Sequence, residues 1–448
     1  MQYVNLTMSW SCRMKTYTDI PIDPWYQQTL HTLAFVSDAP KFFDRQMKKH
    51  GKTYRCKILG KEYVRAHGPD IAQLIFKNSS DSVQTGLGWQ PVLDSFFPNG
   101  LLLKDGKNHI THRRIMQHGF NKPAMLNYFK QIQRWADDFT ADIASGREID
   151  FFPYIKEQTL DLALKMFLGL DYKAEFGQKI ATAFSDTVAG TLGLVRVPLL
   201  NTKYHRGIKG RQTLVEAFTT LVQQRRLEPN DDLVSYMISA RDEDGSEFSD
   251  QQIVDHLIFT MMAAHDTTAS SITSLIYQVT KAPHWQKVLQ EDADSLKEFS
   301  YDSLSMLEQT EHIFKETLRI NPPLVSIPRY LSKDVELSGY AIPAGTRTGV
   351  NIFQTHRDQE YWSNPEQFDP DRFDRKEDKK HPYQFIPFGG GVHKCIGMHL
   401  SMMEAKILLR SIFQKLSVER TEPELDIAVA TAPIWHPKVP MKVRFVPR

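Results

Sequence analysis

Several long stretches of this chain carry apolar residues at helical spacing. In Gln158–Leu170 they fall at Leu160, Ala163, Leu164, Phe167 and Leu168, which predicts a helix. A longer helix is predicted from about Asp250 to Lys281. Ser249 can cap it, Gln252 three residues later completes a capping box, and Pro283 ends it. Asp302–Arg319 reads as another helix, stopped by Asn321-Pro322-Pro323. A further helix starts near Cys395 and runs to about Leu416. Strand signals are fewer. Tyr54, Ile58, Tyr63 and Val64 flank Gly60 as in a hairpin, and Val335–Val350 is broken into short strands by Gly339 and Pro343-Ala344-Gly345. Residues 1–20 read as an irregular tail. No repeat or flexible linker divides the rest, so 21–448 is expected to be one domain. The fold class expected is mainly α with small β-sheets.

Bulk properties remove some function classes. The 448 residues carry 55 basic and 53 acidic side chains, a net charge of +2. That balance gives no support for a nucleic-acid binder, which usually shows a basic excess. A membrane span needs about 20 mostly apolar residues. The best stretches, Leu257–Ala264 and Leu192–Leu200, are too short, and the second contains Arg196. Met1–Tyr17 has no apolar core of a signal peptide. The expectation is a cytoplasmic protein, without a transmembrane anchor, acting as a monomer.

Only Cys12, Cys56 and Cys395 are present, too few for a disulfide framework and without a CxxC pair. A lone cysteine is more often a small buried hydrophobe than a ligand. The surroundings of Cys395 change that. It follows Phe388-Gly389-Gly390-Gly391-Val392-His393-Lys394 and precedes Ile396-Gly397. The glycines let backbone approach a flat ligand closely. A cysteine at the start of a helix meets unpaired N–H groups that favour its thiolate.

This segment resembles the cytochrome P450 signature, Phe-x-x-Gly-x-x-x-Cys-x-Gly, at Phe388, Gly391, Cys395 and Gly397. The resemblance implies a haem b cofactor with Cys395 as the iron ligand and a long central helix over the haem. Further ordered motifs match the family. Glu316 and Arg319, with Arg372 from Pro370-Asp371-Arg372-Phe373, match its structural triad. His109, Arg113, Arg329 and His393 match positions that bind the haem propionates, with Arg114 as a structural neighbour. Phe388 and Gly397 complete the cofactor loop. Ala263-Ala264-His265-Asp266-Thr267-Thr268 matches Ala-Gly-x-Asp/Glu-Thr-Thr, with Ala264 in place of glycine. In the family this threonine lies against bound dioxygen and the acid beside it assists proton delivery, so Asp266 and Thr267 are the catalytic candidates. His265 is similar to the histidine found there in sterol demethylases and retinoid hydroxylases, although an inert polar contact is the simpler reading.

By family position the substrate pocket draws on Leu87, Trp89, Phe96, Phe97, Phe259, Ala263, Val325, Ile327, Ile434 and Trp435. Such an apolar, aromatic lining suits a steroid, terpenoid or fatty acid. The implied activity is insertion of one oxygen atom from O2, with electrons from a separate ferredoxin and ferredoxin reductase. Lys394 and Lys406 are candidates for a basic docking face. Two same-fold alternatives are a peroxygenase, which typically has an Arg-Pro arrangement instead of Asp-Thr, and an isomerase or dehydratase that needs no oxygen activation. A third is a haem carrier or sensor without turnover. The Asp266-Thr267 pair speaks against the first and Thr267 against the second; the third stays open, although it would leave the acid-alcohol pair without a purpose.

Overall fold

The computed structural model describes residues 15–78, 81–191, 202–424, 427–431 and 434–448. The helices that matter for the site are α1 (Gly86–Leu93), α2 (Gly106–Gln117), α3 (Lys122–Ile143), α4 (Phe151–Ala163), α5 (Glu175–Thr191), α6 (Lys203–Leu227), α7 (Asp250–Lys281), α8 (Glu308–Ile320) and α9 (Met398–Lys415).

The axis of the molecule is α7. Both halves of the expected capping box form at its start: Ser249 Oγ accepts from the Gln252 N–H, and Gln252 Oε1 accepts from the Ser249 N–H. Its side chains are buried on nearly every face, as expected of a helix surrounded by others. Leu257, Ile258, Ile272 and Ile276 share one apolar core with Trp135 and Phe139 of α3, Leu160 of α4 and Leu408 and Ile412 of α9. The helical stretch predicted around Gln158–Leu170 is the end of α4, which widens into a π turn at Leu164–Leu168 and stops at Gly169, φ +63°.

The main sheet has five strands: β1 (Thr53–Ile58), β2 (Lys61–Ala66), β3 (Val83–Gln84), β4 (Ile327–Leu331) and β5 (Arg347–Val350), in the order β1-β2-β5-β4-β3. β1 and β2 form the expected hairpin about Gly60. Pairing of Ile327 with Val350 and of Tyr330 with Arg347 sets the register of β4. Alternation then turns Ile327, Arg329 and Leu331 inward.

Three expectations are corrected. Residues 15–20 are not an irregular tail: Lys15–Thr16 pairs in parallel with Tyr340–Ala341, Thr16 and Asp19 cap one another, and Ile20 is buried. Residues 1–14, which include Cys12, lie outside the described residues, as do Leu192–Leu200 and Pro433. The helix expected over Asp302–Arg319 is two elements, a 3-10 turn at Asp302–Met306 and then α8. The Asp292 carboxylate accepts from the Thr310 N–H and hydroxyl, so α8 has its own N-terminal partner and starts afresh. Last, α9 begins at Met398, not at Cys395, with Gly397 as its cap, and Leu416 already belongs to a strand that pairs with Lys442–Pro447.

Candidate active site

Cys395 sits where a Gly-rich loop meets α9. Gly389 and Gly391 adopt φ of +65° and +66°, values that side chains rarely adopt. At Gly390 a Cβ would come within 2.7 Å of the Phe76 ring. The turn is closed by the Cys395 N–H, which donates to the Phe388 carbonyl at 2.9 Å. Cys395 is exposed, yet burial pushes its thiol pKa up. The Gly397 N–H, Arg113 and Lys394 act the other way and favour the thiolate. The sequence argument therefore holds for the direction of these donors, but in the free protein burial outweighs them.

The four residues assigned to propionates come together. The rings of His109 and His393 stack at 3.7 Å. Arg329, from β4, is only 2% exposed and burial pushes its pKa down to about 10. Burial, with His393 and Arg113 nearby, pushes His109 down to about 3. The carboxylate among them, Asp105, is engaged by the Thr85 and Gly86 N–H groups and lies 3.5 Å from His393 Nε2. His109 Nδ1 and Arg329 Nε are buried without a hydrogen-bond partner among the described residues. A buried cluster of two arginines and two histidines, with Arg329 Nε and His109 Nδ1 unpaired, is suited to added carboxylates, so the residues present fit a haem with its two propionates. Arg114 instead reaches Asp242 and Glu243 from the surface.

On α7, Ala263 is open whereas Met261, Ile258 and His265 around it are buried. Thr267, one turn on, donates its hydroxyl to the Ala263 carbonyl at 2.7 Å. Asp266 turns toward α4, where Lys156 Nζ lies at 2.8 Å and His265 Nδ1 at 3.1 Å. Burial would raise the Asp266 pKa, but His265 and Lys156 outweigh it and hold the carboxyl well below the usual range. His265 is itself buried and bonded through Nε2 to the Lys156 carbonyl, the polar contact expected. Lys156 has no sequence motif, and its partners are over a hundred residues away, so nothing in the sequence points to it.

Glu316, Arg319 and Arg372 come together. Glu316 accepts from Arg319 at 2.7 and 2.8 Å and from Arg372 at 2.9 Å, with all three side chains fully buried. Arg319 also reaches the carbonyls of His356, Pro365 and Gln367, which pins the segment leading to the cysteine loop.

The ten pocket candidates separate. Ala263 is exposed, and Ile327 Cδ1 approaches Gly389. Phe259 packs on Phe97 and Gly100. Leu87 is partly exposed, and Trp89 and Ile434 are half-buried. Three are corrected to packing residues. Phe96 has no exposed surface and wedges against Gly190 and Gly207, where α5 and α6 cross. Val325 packs with Phe42, Phe43 and Tyr54 in a separate cluster. Trp435 is buried with its N–H on the Pro323 carbonyl. Lys406 is also corrected. It is buried between Glu311, at 2.6 Å, and the Leu304 carbonyl, so it cannot serve a docking face. Lys394 is exposed.

The model of the family described as Cytochrome P450 matches residues 24–444. This chain belongs to the cytochrome P450 family. It is 36% identical over 369 residues to a putative cytochrome P450 136 of Mycobacterium tuberculosis, covering 81% of this chain and 75% of that one. It is 27% identical to the taxane 10-beta-hydroxylase of Taxus cuspidata, covering 87% and 81%, and 25% identical to the beta-amyrin 6-beta-monooxygenase of Solanum lycopersicum, covering 92% and 89%. The fold matches that of a retinoic acid-bound cyanobacterial CYP120A1, with a TM-score of 0.86, 22% identity and coverage of 93% and 96%. The P450 chain is thus a haem-dependent monooxygenase with the P450 fold. Among the described residues no helix is long and apolar enough to cross a membrane.

Proposed function

We propose that this P450 inserts one oxygen atom from O2 into a mid-sized, mostly apolar molecule, with a terpenoid skeleton as the leading class. The observation that carries the reading is the joint presence of Cys395 on a Gly-rich loop, a cluster of two arginines and two histidines with unpaired polar atoms, and an alcohol and an acid on the central helix. A bound haem would supply dioxygen activation, and Cys395 would be the residue that ligates its iron. His109, Arg113, Arg329 and His393 hold its propionates. Thr267 would contribute a hydroxyl to the oxygen site, and Asp266, held as a carboxylate by Lys156 and His265, would relay protons to it rather than store one. Among the pocket candidates Ala263, Leu87, Trp89 and Ile434 keep exposed apolar surface and carry no fixed charge. The named plant relatives act on taxane and beta-amyrin skeletons, which supports polycyclic terpenoids over short acids. Electrons come from a separate ferredoxin and its reductase, and the enzyme works as a cytoplasmic monomer formed of a single domain.

The test has two parts. Reduced protein with carbon monoxide gives the thiolate-type spectrum. Terpenoids, steroids and fatty acids are then screened for low-to-high-spin Soret shifts against small polar acids and sugars. Tight shifts confined to the polar set overturn the substrate class.

A further inference from the structure

Asp105 stands just before the first residue of α2, where an aspartate ordinarily turns its carboxylate back onto the free N–H groups of its own helix. Here it makes no such bond. Its carboxylate instead accepts from the Thr85 N–H at 2.8 Å and the Gly86 N–H at 2.9 Å, where α1 begins. The same carboxylate lies 3.5 Å from His393 Nε2, and its charge acts on His109 and Arg329 as well. One acid thus stands between the start of α1 and the residues that fit the propionates.

The seat of α1 is shaped around this contact. A Cβ on Gly86 would come within 2.4 Å of the Leu103 carbonyl oxygen and 2.8 Å of Asp105 Oδ2, and one on Gly88 within 2.8 Å of the Arg329 Cα. Arg347 Nη1 donates to the Leu87 carbonyl at 3.0 Å. The first turn of α1 is therefore pressed onto the propionate residues, and it carries Leu87 and Trp89, two of the pocket candidates. A carboxylate beside two propionates is a like charge, which disfavours its ionised form, but the two N–H donors hold it as an anion. In a partly buried site such a charge is felt more strongly than in water. It favours the oxidised, more positive state of a bound iron.

We propose that Asp105 is a positioning residue that couples α1 to a bound haem: it anchors the helix through two N–H groups and, as a fixed negative charge among the propionate residues, holds the reduction potential down. The effect on the potential rests on the propionate assignment and the function proposed above; the anchor on α1 does not.

The test measures the reduction potential of the haem-loaded protein by dye equilibration, and amide hydrogen exchange at Thr85 and Gly86 with and without haem. Asp105→Asn should move the reduction equilibrium about tenfold toward the ferrous state, about 59 mV for a one-electron couple, at an unchanged carbon monoxide spectrum. Its Thr85 and Gly86 amides should exchange about tenfold faster, as expected when a hydrogen bond to a charged group is lost. Asp105→Ser, neutral and still able to accept one N–H, should shift the potential the same way, and it serves if the Asn variant folds poorly. Asp105→Glu keeps the charge and should stay close to the wild-type potential. A potential unmoved in Asp105→Asn and Asp105→Ser, or moved equally by Asp105→Glu, overturns the charge role. Unchanged exchange at Thr85 and Gly86 in the haem-free variants overturns the anchor. A wild type without the thiolate spectrum would instead count against the proposed function and leave the haem-free exchange result standing.

Discussion

Asp266 of the central helix is held by Lys156 of α4, Nζ to Oδ1, at 2.8 Å. The acid expected to serve protons is therefore an ion fixed against a neighbouring helix, one residue before a threonine whose hydroxyl rests on the Ala263 carbonyl. Lys156→Met removes a charge that favours the carboxylate, so the Asp266 pKa rises toward its ordinary value. Protonation of Asp266 then sets in at higher pH. The acid limb of the coupling profile, measured as product per electron, should move to higher pH in this variant. An unmoved limb would mean that Asp266 does not control proton supply.

Thr267→Ala should bind haem and substrate normally and release more of its electrons as peroxide. The hydroxyl is not part of the packing: its hydrogen bond returns to its own helix, a pattern that costs the helix little to lose. Peroxide and product are assayed together per NAD(P)H consumed. Unchanged coupling would reduce Thr267 to an ordinary helix residue.

Cys395→Ala should lose thiolate ligation, whereas Cys56→Ala should keep it. Cys56 is buried inside β1, and burial pushes its thiol up to about 11, so it is inert packing whose truncation costs about 1–2 kcal/mol of stability. Cys12→Ala is likewise expected to keep ligation. The reduced carbon monoxide spectrum decides each case, and a thiolate-type band from Cys395→Ala would end the assignment.

The elements and partners that the sequence made legible share one property: they are set by local chemistry. The capping box of Ser249 and Gln252, the hairpin at Gly60 and the Glu316–Arg319 pair all depend on residues a few positions apart. The missed features depend on long-range packing. Lys156 meets Asp266 only because α4 lies along α7. Phe96 and Val325 were placed in the pocket by chain position, but one fills the gap left by two glycines at a helix crossing and the other joins a cluster of the N-terminal helices. Lys406 looked like a surface charge because its partner Glu311 is nearly a hundred residues away.

Glu316→Gln should destabilise the fold and loosen haem. The carboxylate is fully buried between two arginines. Its neutralisation leaves two buried guanidinium groups short of a counter-charge, a change that costs roughly 3–5 kcal/mol when one partner of a buried pair is removed. Thermal unfolding and the fraction of haem retained after desalting measure it. A melting temperature equal to wild type would show that the arginine carbonyl contacts suffice.

Acid should weaken the protein through a pair of histidines away from the cysteine loop. His112 Nδ1 and His256 Nε2 lie 2.7 Å apart beside Phe248. One ring must donate and the other accept, so the pair needs at least one neutral imidazole. Burial and Lys104 push His112 down to about 4, and burial, His112 and Lys104 hold His256 well below its ordinary value. The unfolded chain binds protons here as pH falls below about 6.5, whereas the folded chain does not until far lower. Their contribution to stability is therefore complete above the unfolded value. It declines as pH falls toward the folded value of about 4 for His112. Replacing both rings together, His112→Phe with His256→Leu, removes the protonation difference without leaving one ring unpaired. The double variant should lose less melting temperature than wild type between pH 7 and pH 5, when both are normalised to their value at pH 7.5. Parallel curves would place the acid sensitivity elsewhere, for example at His67 and His356, whose burial likewise pushes them down to about 3.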